Sequence, residues 1–284
     1  MTAETHTITT SGAEITYDVR GTGPTLLLIG SPMDASGFTT LAGHFPDRTI
    51  VTYDPRGGGR SKLTGGQTTS TPEQHADDLS RVIDAVGGPV DVFASSGGAV
   101  NALALVTAHP DQVRTLVAHE PPLVTVLPDR ENASVATKGI AELYQREGTG
   151  PAMVRFIMIV SHRGEIPAGW LDQPAPAPAD FGLPADDNGD RNDTLLGQNL
   201  VTCTHYEPDF AALSAAPTRI VIAVGEESKD ELAHRGGLGV AAGLGSRPVW
   251  FPSNHAGFLG GEFGQHGDPD NFAAKLRQVL DEPA

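Results

Sequence analysis

The sequence predicts an α/β fold in which a mostly parallel sheet is flanked by helices and carries a mainly helical insertion. Short apolar runs bounded by turn residues alternate with segments of helical periodicity. Several of these runs are continuously apolar, which is typical of strands buried on both faces. The alternation stops over residues 123–216 and then resumes. We therefore expect a core of residues 1–122 and 217–284, with residues 123–216 inserted as a helical lid.

The first half of the chain follows a β-α-β rhythm. Residues 6–10 and 14–20 alternate in polarity around a Ser-Gly-Ala turn, so they predict an antiparallel hairpin at a sheet edge. Further strands are predicted over residues 25–29, 48–53, 90–94 and 113–118. Helices are predicted near residues 35–44, from Thr71-Pro72 to Gly87, and over residues 99–109.

The insertion has its own helical pattern. Helices are predicted over residues 134–147, 151–161 and 192–204, with a Pro- and Ala-rich loop at residues 166–184. Because apolar residues recur at helical spacing here, we expect a folded lid rather than a disordered linker. After the insertion, strands are predicted over residues 219–224 and 248–251, and helices over residues 231–244 and 269–280.

The composition excludes several classes of partner. The formal net charge of −16 opposes binding to nucleic acid or to a membrane, because such contacts need clustered Lys and Arg. No apolar run approaches the roughly 20 residues that cross a bilayer, and the first residues do not have the form of a secretory signal. The single cysteine, Cys203, favours a reducing, cytoplasmic setting. We expect a small-molecule substrate, and a homodimer is one oligomeric state that the sequence allows.

Ser96 is the candidate nucleophile. It lies in Ala94-Ser95-Ser96-Gly97-Gly98, between a predicted strand and a predicted helix, where a sharp turn can lift a side chain above the sheet. Small residues are needed two positions before and after it, because strand and helix approach closely there. The glycine patterns of nucleotide-binding loops are absent from this segment.

Four segments in order resemble the α/β-hydrolase superfamily, in particular a lid-bearing serine esterase-like member. They are Ile29-Gly30-Ser31-Pro32, Asp54-Pro55-Arg56-Gly57-Gly58-Gly59-Arg60-Ser61, the turn at Ser96, and Ser253-Asn254-His255-Ala256-Gly257-Phe258. The resemblance covers nearly the whole chain. It implies a nucleophile elbow at Ser96 and an oxyanion hole formed by the backbone N–H groups of Ser31 and Gly97. It gives the segment around Arg56 a structural role.

Two positions depart from the pattern of this superfamily. Ala94 replaces the usual first glycine of the elbow, and Ile29 replaces the usual histidine before Gly30. The second change alters how the oxyanion loop is braced, but a backbone donor does not depend on the neighbouring side chain.

His255 is the candidate general base. A serine hydroxyl is a poor nucleophile and needs a base within hydrogen-bond reach. Among ten histidines, His255 follows a predicted strand in a small, turn-rich segment that can hold an imidazole over the sheet edge. His119 is its main competitor.

The acid that orients the base does not stand at its usual place. The resemblance puts it three residues after the glycine that ends the penultimate strand, and from Gly225 that count reaches the uncharged Ser228. We expect Glu120 instead, because a strand next to the elbow strand can present a carboxylate to the same histidine. The alternatives are a structural role for Glu120 and an acid at Glu226, Glu227 or Asp230.

Together these residues predict hydrolysis of a carboxylic ester or a related acyl bond through an acyl-enzyme, with no metal or organic cofactor. A serine at the elbow argues against alkyl-halide and epoxide hydrolysis, for which related enzymes use an aspartate. Two alternatives remain open: a cofactor-free lyase, cyclase, acyltransferase or perhydrolase with the same residues, and a binding protein without turnover. We expect the insertion to supply the acyl pocket, through residues such as Phe156, Met158 and Trp170.

Overall fold

The computed structural model describes residues 3–184 and 186–282. Met1, Thr2, Ala185, Pro283 and Ala284, which belong to the predicted core or insertion, lie outside the described residues. The strands are β1 (Glu4–Thr10), β2 (Ala13–Arg20), β3 (Thr25–Ile29), β4 (Thr49–Tyr53), β5 (Lys62–Leu63), β6 (Val90–Ser95), β7 (Val113–His119), β8 (Arg219–Gly225) and β9 (Val249–Phe251).

These strands form a single sheet in the order β1-β2-β4-β3-β6-β7-β8-β9, with β5 paired to β2. The predicted hairpin is present, since β1 and β2 pair antiparallel at one edge. From β4 to β9 all pairings are parallel. The predicted α/β fold with a mostly parallel sheet is confirmed, and the elbow strand β6 lies at its centre, between β3 and β7.

The α-helices are α1 (Thr39–Gly43), α2 (Pro72–Val86), α3 (Gly97–Ala108), α4 (Arg130–Glu147), α5 (Thr149–Val160), α6 (Leu200–Thr204), α7 (Phe210–Ala215), α8 (Leu232–Gly243) and α9 (Pro269–Asp281). The start of α2 follows the predicted signal: Thr71 and Gln74 form a reciprocal capping box around Pro72. Among the described residues, none of the helices combines the length and apolar character needed to span a bilayer.

The sequence missed three features of this architecture. The strand β5 has only two residues and the helix α7 only six. The helix predicted over residues 192–204 is instead a π-helix, Thr194–Asn199, followed by α6. Such short elements carry too few apolar residues to produce a clear periodicity.

Two apolar clusters lie on opposite faces of the sheet, because alternate side chains of a strand point to opposite sides. Leu27 packs with α2 and α3 on one face, whereas Leu26 packs with α1 and α9 on the other. A third cluster is built from residues 124–200, mainly of α4, α5 and α6, together with Leu232 of α8. The division into a core and a lid remains an expectation.

Candidate active site

Ser96 occupies a strained turn between β6 and α3. Its φ of 57° lies in the left-handed region, which is costly for a residue with a side chain and is maintained only by the surrounding structure. The next two residues must be glycine. A Cβ on Gly97 would lie 2.5 Å from the Ser31 carbonyl oxygen, and one on Gly98 would collide with the Ile29 carbonyl. The small residues around Ser96 are therefore dictated by close packing of β3 against α3.

The two residues predicted to supply the oxyanion donors, Gly97 and Ser31, have backbones in contact. Gly97 is the first residue of α3, and the N–H groups of the first helical turn have no acceptor within the helix. Ser31, in the loop after β3, is buried, and its backbone contacts the site where Gly97 would carry a side chain. The start of α3 places unpaired helical N–H groups and the positive end of the helix dipole beside Ser96, and the donor role of Ser31 stays a prediction.

Cys203, which lies in residues 123–216, contacts the elbow at Gly97. Its Sγ lies 3.3 Å from the Cβ position of Gly97, so α6 packs directly on the elbow. Burial raises the pKa of this thiol to about 12, which keeps it protonated. No pattern in the sequence predicts this contact, because nothing local relates residue 203 to residue 97.

Glu120 and His255 are hydrogen-bonded across 135 positions of sequence. Glu120 Oε2 lies 2.6 Å from His255 Nδ1. Glu120 is fully buried after β7 with a φ of 49°, and its N–H donates to the Ala223 carbonyl of β8. His255 lies in the turn after β9, and 38% of its side chain is exposed. The three alternative acids, Glu226, Glu227 and Asp230, are exposed.

The contact shifts both groups toward their charged forms. Burial alone would raise the pKa of Glu120, but hydrogen bonding to His255 and the nearby imidazoles bring it well below its usual range. Burial alone would lower the pKa of His255, and the hydrogen bond and charge of Glu120 raise it above its ordinary value. The carboxylate is therefore ionised and stabilises a protonated His255.

His119, the competing histidine, is hydrogen-bonded to Ser95 and not to the candidate nucleophile. Its Nδ1 lies 3.0 Å from Ser95 Oγ, and both side chains are buried. Its carbonyl accepts a hydrogen bond from the N–H of Ser96 at 2.9 Å, and its ring stacks on His255 with centroids 5.8 Å apart. His119 therefore contacts both the elbow and the candidate base, but its own side chain is fully buried.

The residues after three strand ends thus lie at one edge of the sheet. Ser96 follows β6, Glu120 follows β7 and His255 follows β9, and parallel strands end on the same side. Among the described residues, no hydrogen bond joins the side chains of Ser96 and His255, and the side-chain partner of His255 is Glu120.

The glycine-rich segment after β4 is built around a buried ion pair. Arg56 is 1% exposed and donates through Nε and Nη2 to both oxygens of Asp78, each at 2.8 Å. Arg60 is paired with Asp18 and Asp54. Both guanidinium groups are engaged by carboxylates, which tie this segment to α2 through Asp78 and to β2 through Asp18.

The fold is that of the α/β hydrolases, and comparison with known proteins agrees. The chain is 32% identical over 275 residues to a curated Bacillus subtilis protein named "Uncharacterized hydrolase YraK", a match that covers 91% of this chain and 92% of that protein. It belongs to the α/β-hydrolase family. No known protein-family profile matches it.

Solved structures share the fold at low sequence identity. A thermophilic esterase from Thermogutta terrifontis superimposes with a TM-score of 0.68, at 20% identity and 98% coverage of both chains. The enol-lactonase from Burkholderia xenovorans also gives a TM-score of 0.68, at 17% identity, covering 98% of this chain and 100% of its own.

Proposed function

We propose that the protein is a serine hydrolase that cleaves a carboxylic ester or a related acyl bond through an acyl-enzyme intermediate. The observation that carries the proposal is the hydrogen bond between buried Glu120 and His255, at the sheet edge where Ser96 occupies its strained turn. A binding protein has no need for an imidazole whose pKa is raised by a buried carboxylate. The names of the relative and of the two fold neighbours, a hydrolase, an esterase and an enol-lactonase, support the same class.

In the proposed mechanism, Ser96 Oγ attacks the acyl carbonyl carbon while His255 Nε2 takes the hydroxyl proton. Nδ1–H donates to Glu120 Oε2, which fixes the tautomer and stabilises the imidazolium. The N–H groups of Gly97 and Ser31 bind the oxyanion. His255 then returns the proton to the leaving alcohol. A water molecule, deprotonated by the same His255, then attacks the acyl carbonyl carbon; the bond to Ser96 Oγ breaks, His255 returns the proton to Oγ, and the acid is released.

The test is covalent labelling combined with kinetics. We expect a fluorophosphonate to label Ser96, located by mass spectrometry of the digested protein, and p-nitrophenyl esters of increasing acyl length to show a burst of one p-nitrophenol per site. Product analysis with an added alcohol or amine acceptor distinguishes hydrolysis from acyl transfer. An intact protein that is neither labelled nor active on any of these esters would contradict the proposal and favour a binding function.

We further propose that the insertion sets acyl preference. Phe156 and Met158 are half-buried at the margin of the third apolar cluster, whereas Trp170 is 3% exposed inside it and packs under Arg155. Phe156→Ala and Met158→Ala should change kcat/KM for long acyl esters more than for acetate. Trp170→Ala serves as the contrast, because its main effect should be on thermal stability. Equal losses on every ester for the first two variants would argue against this role.

A further inference from the structure

The oxygen of Glu120 that does not contact His255 is held by the end of β8. Glu120 Oε1 accepts hydrogen bonds from the Gly225 N–H at 2.9 Å and from the Ser228 hydroxyl, while Oε2 is the oxygen bonded to His255. Each carboxylate oxygen therefore has its own partners. Of the three donors, the Gly225 N–H ends β8, the strand that neighbours β7, and the Ser228 hydroxyl lies in the turn that follows β8.

The Ser228 hydroxyl donates its hydrogen bond to this carboxylate. Ser228 is fully buried in the turn between β8 and α8, so water does not compete for it. Its single proton has two acceptors in reach, Glu120 Oε1 and the Gly225 carbonyl oxygen at 3.2 Å. The ionised carboxylate is the stronger acceptor. A Cβ on Gly225 would lie 2.7 Å from Ser228 Oγ, so the absence of a side chain there leaves room for the hydroxyl.

The backbone alone does not set the plane of the carboxylate. The terminal torsion of a glutamate is broad, so the oxygens can rotate away from a partner at little cost. The hydrogen bond to His255 is worth most when Oε2 points along the Nδ1–H direction. Two donors on Oε1 remove that rotational freedom, and the hydrogen bond from Ser228 also lowers the pKa of the acid.

We propose that Ser228 is a positioning residue for the reaction: with the Gly225 N–H it fixes one oxygen of Glu120 so that the other is aimed at His255. The proposal rests on the proposed function, in which Glu120 orients the base. Ser228 does not touch the substrate or the reacting atoms. It acts through the acid.

Ser228→Ala tests this role against a matched control. Thr218→Val also removes a buried hydroxyl, which lies 2.9 Å from the Pro110 and Val113 carbonyl oxygens near the opposite end of β8. We expect Ser228→Ala to lower kcat about 10-fold with KM little changed, because an interaction that matters mainly in the transition state is lost. Thr218→Val should lower the thermal stability but leave kcat unchanged. Equal kcat in the two folded variants would overturn the proposal.

A spectroscopic readout separates this inference from the proposed function. The proton between His255 Nδ1 and Glu120 should give a strongly downfield ¹H NMR signal in the wild type and in Thr218→Val. Ser228→Ala should shift or broaden that signal, and an unchanged signal would overturn the positioning role. The measurement needs no substrate. Absence of labelling at Ser96 with an intact signal would instead refute the proposed function alone.

Moving the acid gives a third test. Ser228 and Glu120 reach the same space from neighbouring strands, so a carboxylate at position 228 should replace part of the function lost at position 120. We expect Glu120→Ala/Ser228→Asp to hydrolyse an activated ester at least about 10-fold faster than Glu120→Ala. A folded double variant that is no faster overturns the claim that Ser228 is directed at the acid.

Discussion

Two serine–histidine pairs, the hydrogen-bonded Ser95 and His119 and the proposed pair of Ser96 and His255, have different surroundings. Ser95 and His119 are both buried, and the His119 ring is packed among Phe93, Phe258 and Phe272. Ser96 is half-buried, and the His255 side chain is 38% exposed. The two imidazole rings are nearly parallel, at 22°. Although Ser95 and Ser96 are adjacent in the chain, Ser95 and its histidine are therefore in the core, whereas Ser96 and His255 are partly exposed to solvent.

The partner of Nδ1 explains why these histidines titrate in opposite directions. His119 Nδ1 meets the neutral Ser95 hydroxyl, and burial lowers the pKa of His119 to about 4 despite the charge of Glu120. His255 Nδ1 meets the carboxylate itself, which raises its pKa although burial opposes this. A histidine becomes a base through a charged partner and an accessible second nitrogen. His119 lacks both.

The two serines should give the largest contrast. Ser96→Ala should lower the rate on an activated ester by about 10⁵-fold, since the nucleophile is lost, whereas Ser95→Ala should keep the rate within about 3-fold. Steady-state kinetics and fluorophosphonate labelling measure both. Retained turnover in Ser96→Ala, with the label on Ser95, would reverse the assignment of the two pairs.

Removing the charge on the acid should have the next largest effect. Glu120→Gln keeps the shape of the side chain but no longer holds the imidazolium, so we expect kcat to fall about 10³- to 10⁴-fold with little change in KM. Glu227→Gln is the control, because Glu227 is exposed. If the control were inactive and Glu120→Gln active, the acid would belong to the turn after β8.

The pH profile provides a smaller but more specific test. In the proposed mechanism neutral His255 is the base, so kcat/KM should fall as the pH drops through its pKa, which lies above the ordinary histidine value of 6.5. His119, with its pKa lowered to about 4, stays neutral over this range. Glu120→Gln removes the charge that raises the pKa of His255, so the residual activity should persist to lower pH. An unmoved midpoint would assign this ionisation to another group.

His119→Phe should have the smallest effect on rate and a clear effect on stability. The phenyl ring can still stack on His255, but the buried Ser95 hydroxyl loses its partner, at a cost of about 1–3 kcal/mol in the free energy of unfolding. We expect the rate to stay within about 10-fold. Denaturant unfolding and ester kinetics measure the two effects. A loss of rate as large as that of His255→Phe would show that His119 takes part in proton transfer.

Much of the fold could be predicted because its signals are local. The continuous apolar runs predict β3 and β6, the strand that leads into the elbow. The Thr71-Pro72 signal predicts the start of α2. The signal for α7 was also present, since Asp209 caps it by accepting from the Ala212 N–H, but six residues give little periodicity. The division of the chain into core and lid stays a prediction.

In the candidate site, too, some residues could be predicted from local patterns and others could not. Local spacing identified Ser96 and the turn that carries His255, because a strained elbow requires small neighbours and a strand-end histidine has a recognisable context. The sequence favoured Glu120 but left three other acids open. The structure brings Glu120 against His255 and leaves Glu226, Glu227 and Asp230 exposed.

The sequence by itself determined the order of strands and helices and the strand ends at which reactive side chains stand, because periodicity, caps and turn residues act over a few positions. Only the tertiary structure decided which groups meet. The contacts of Glu120 with His255 and Ser228, and the burial of His119 beside Ser95, join residues that are 24 to 135 positions apart. Such contacts depend on which strands are neighbours in the sheet and on how each turn directs its side chain, and no local pattern encodes either.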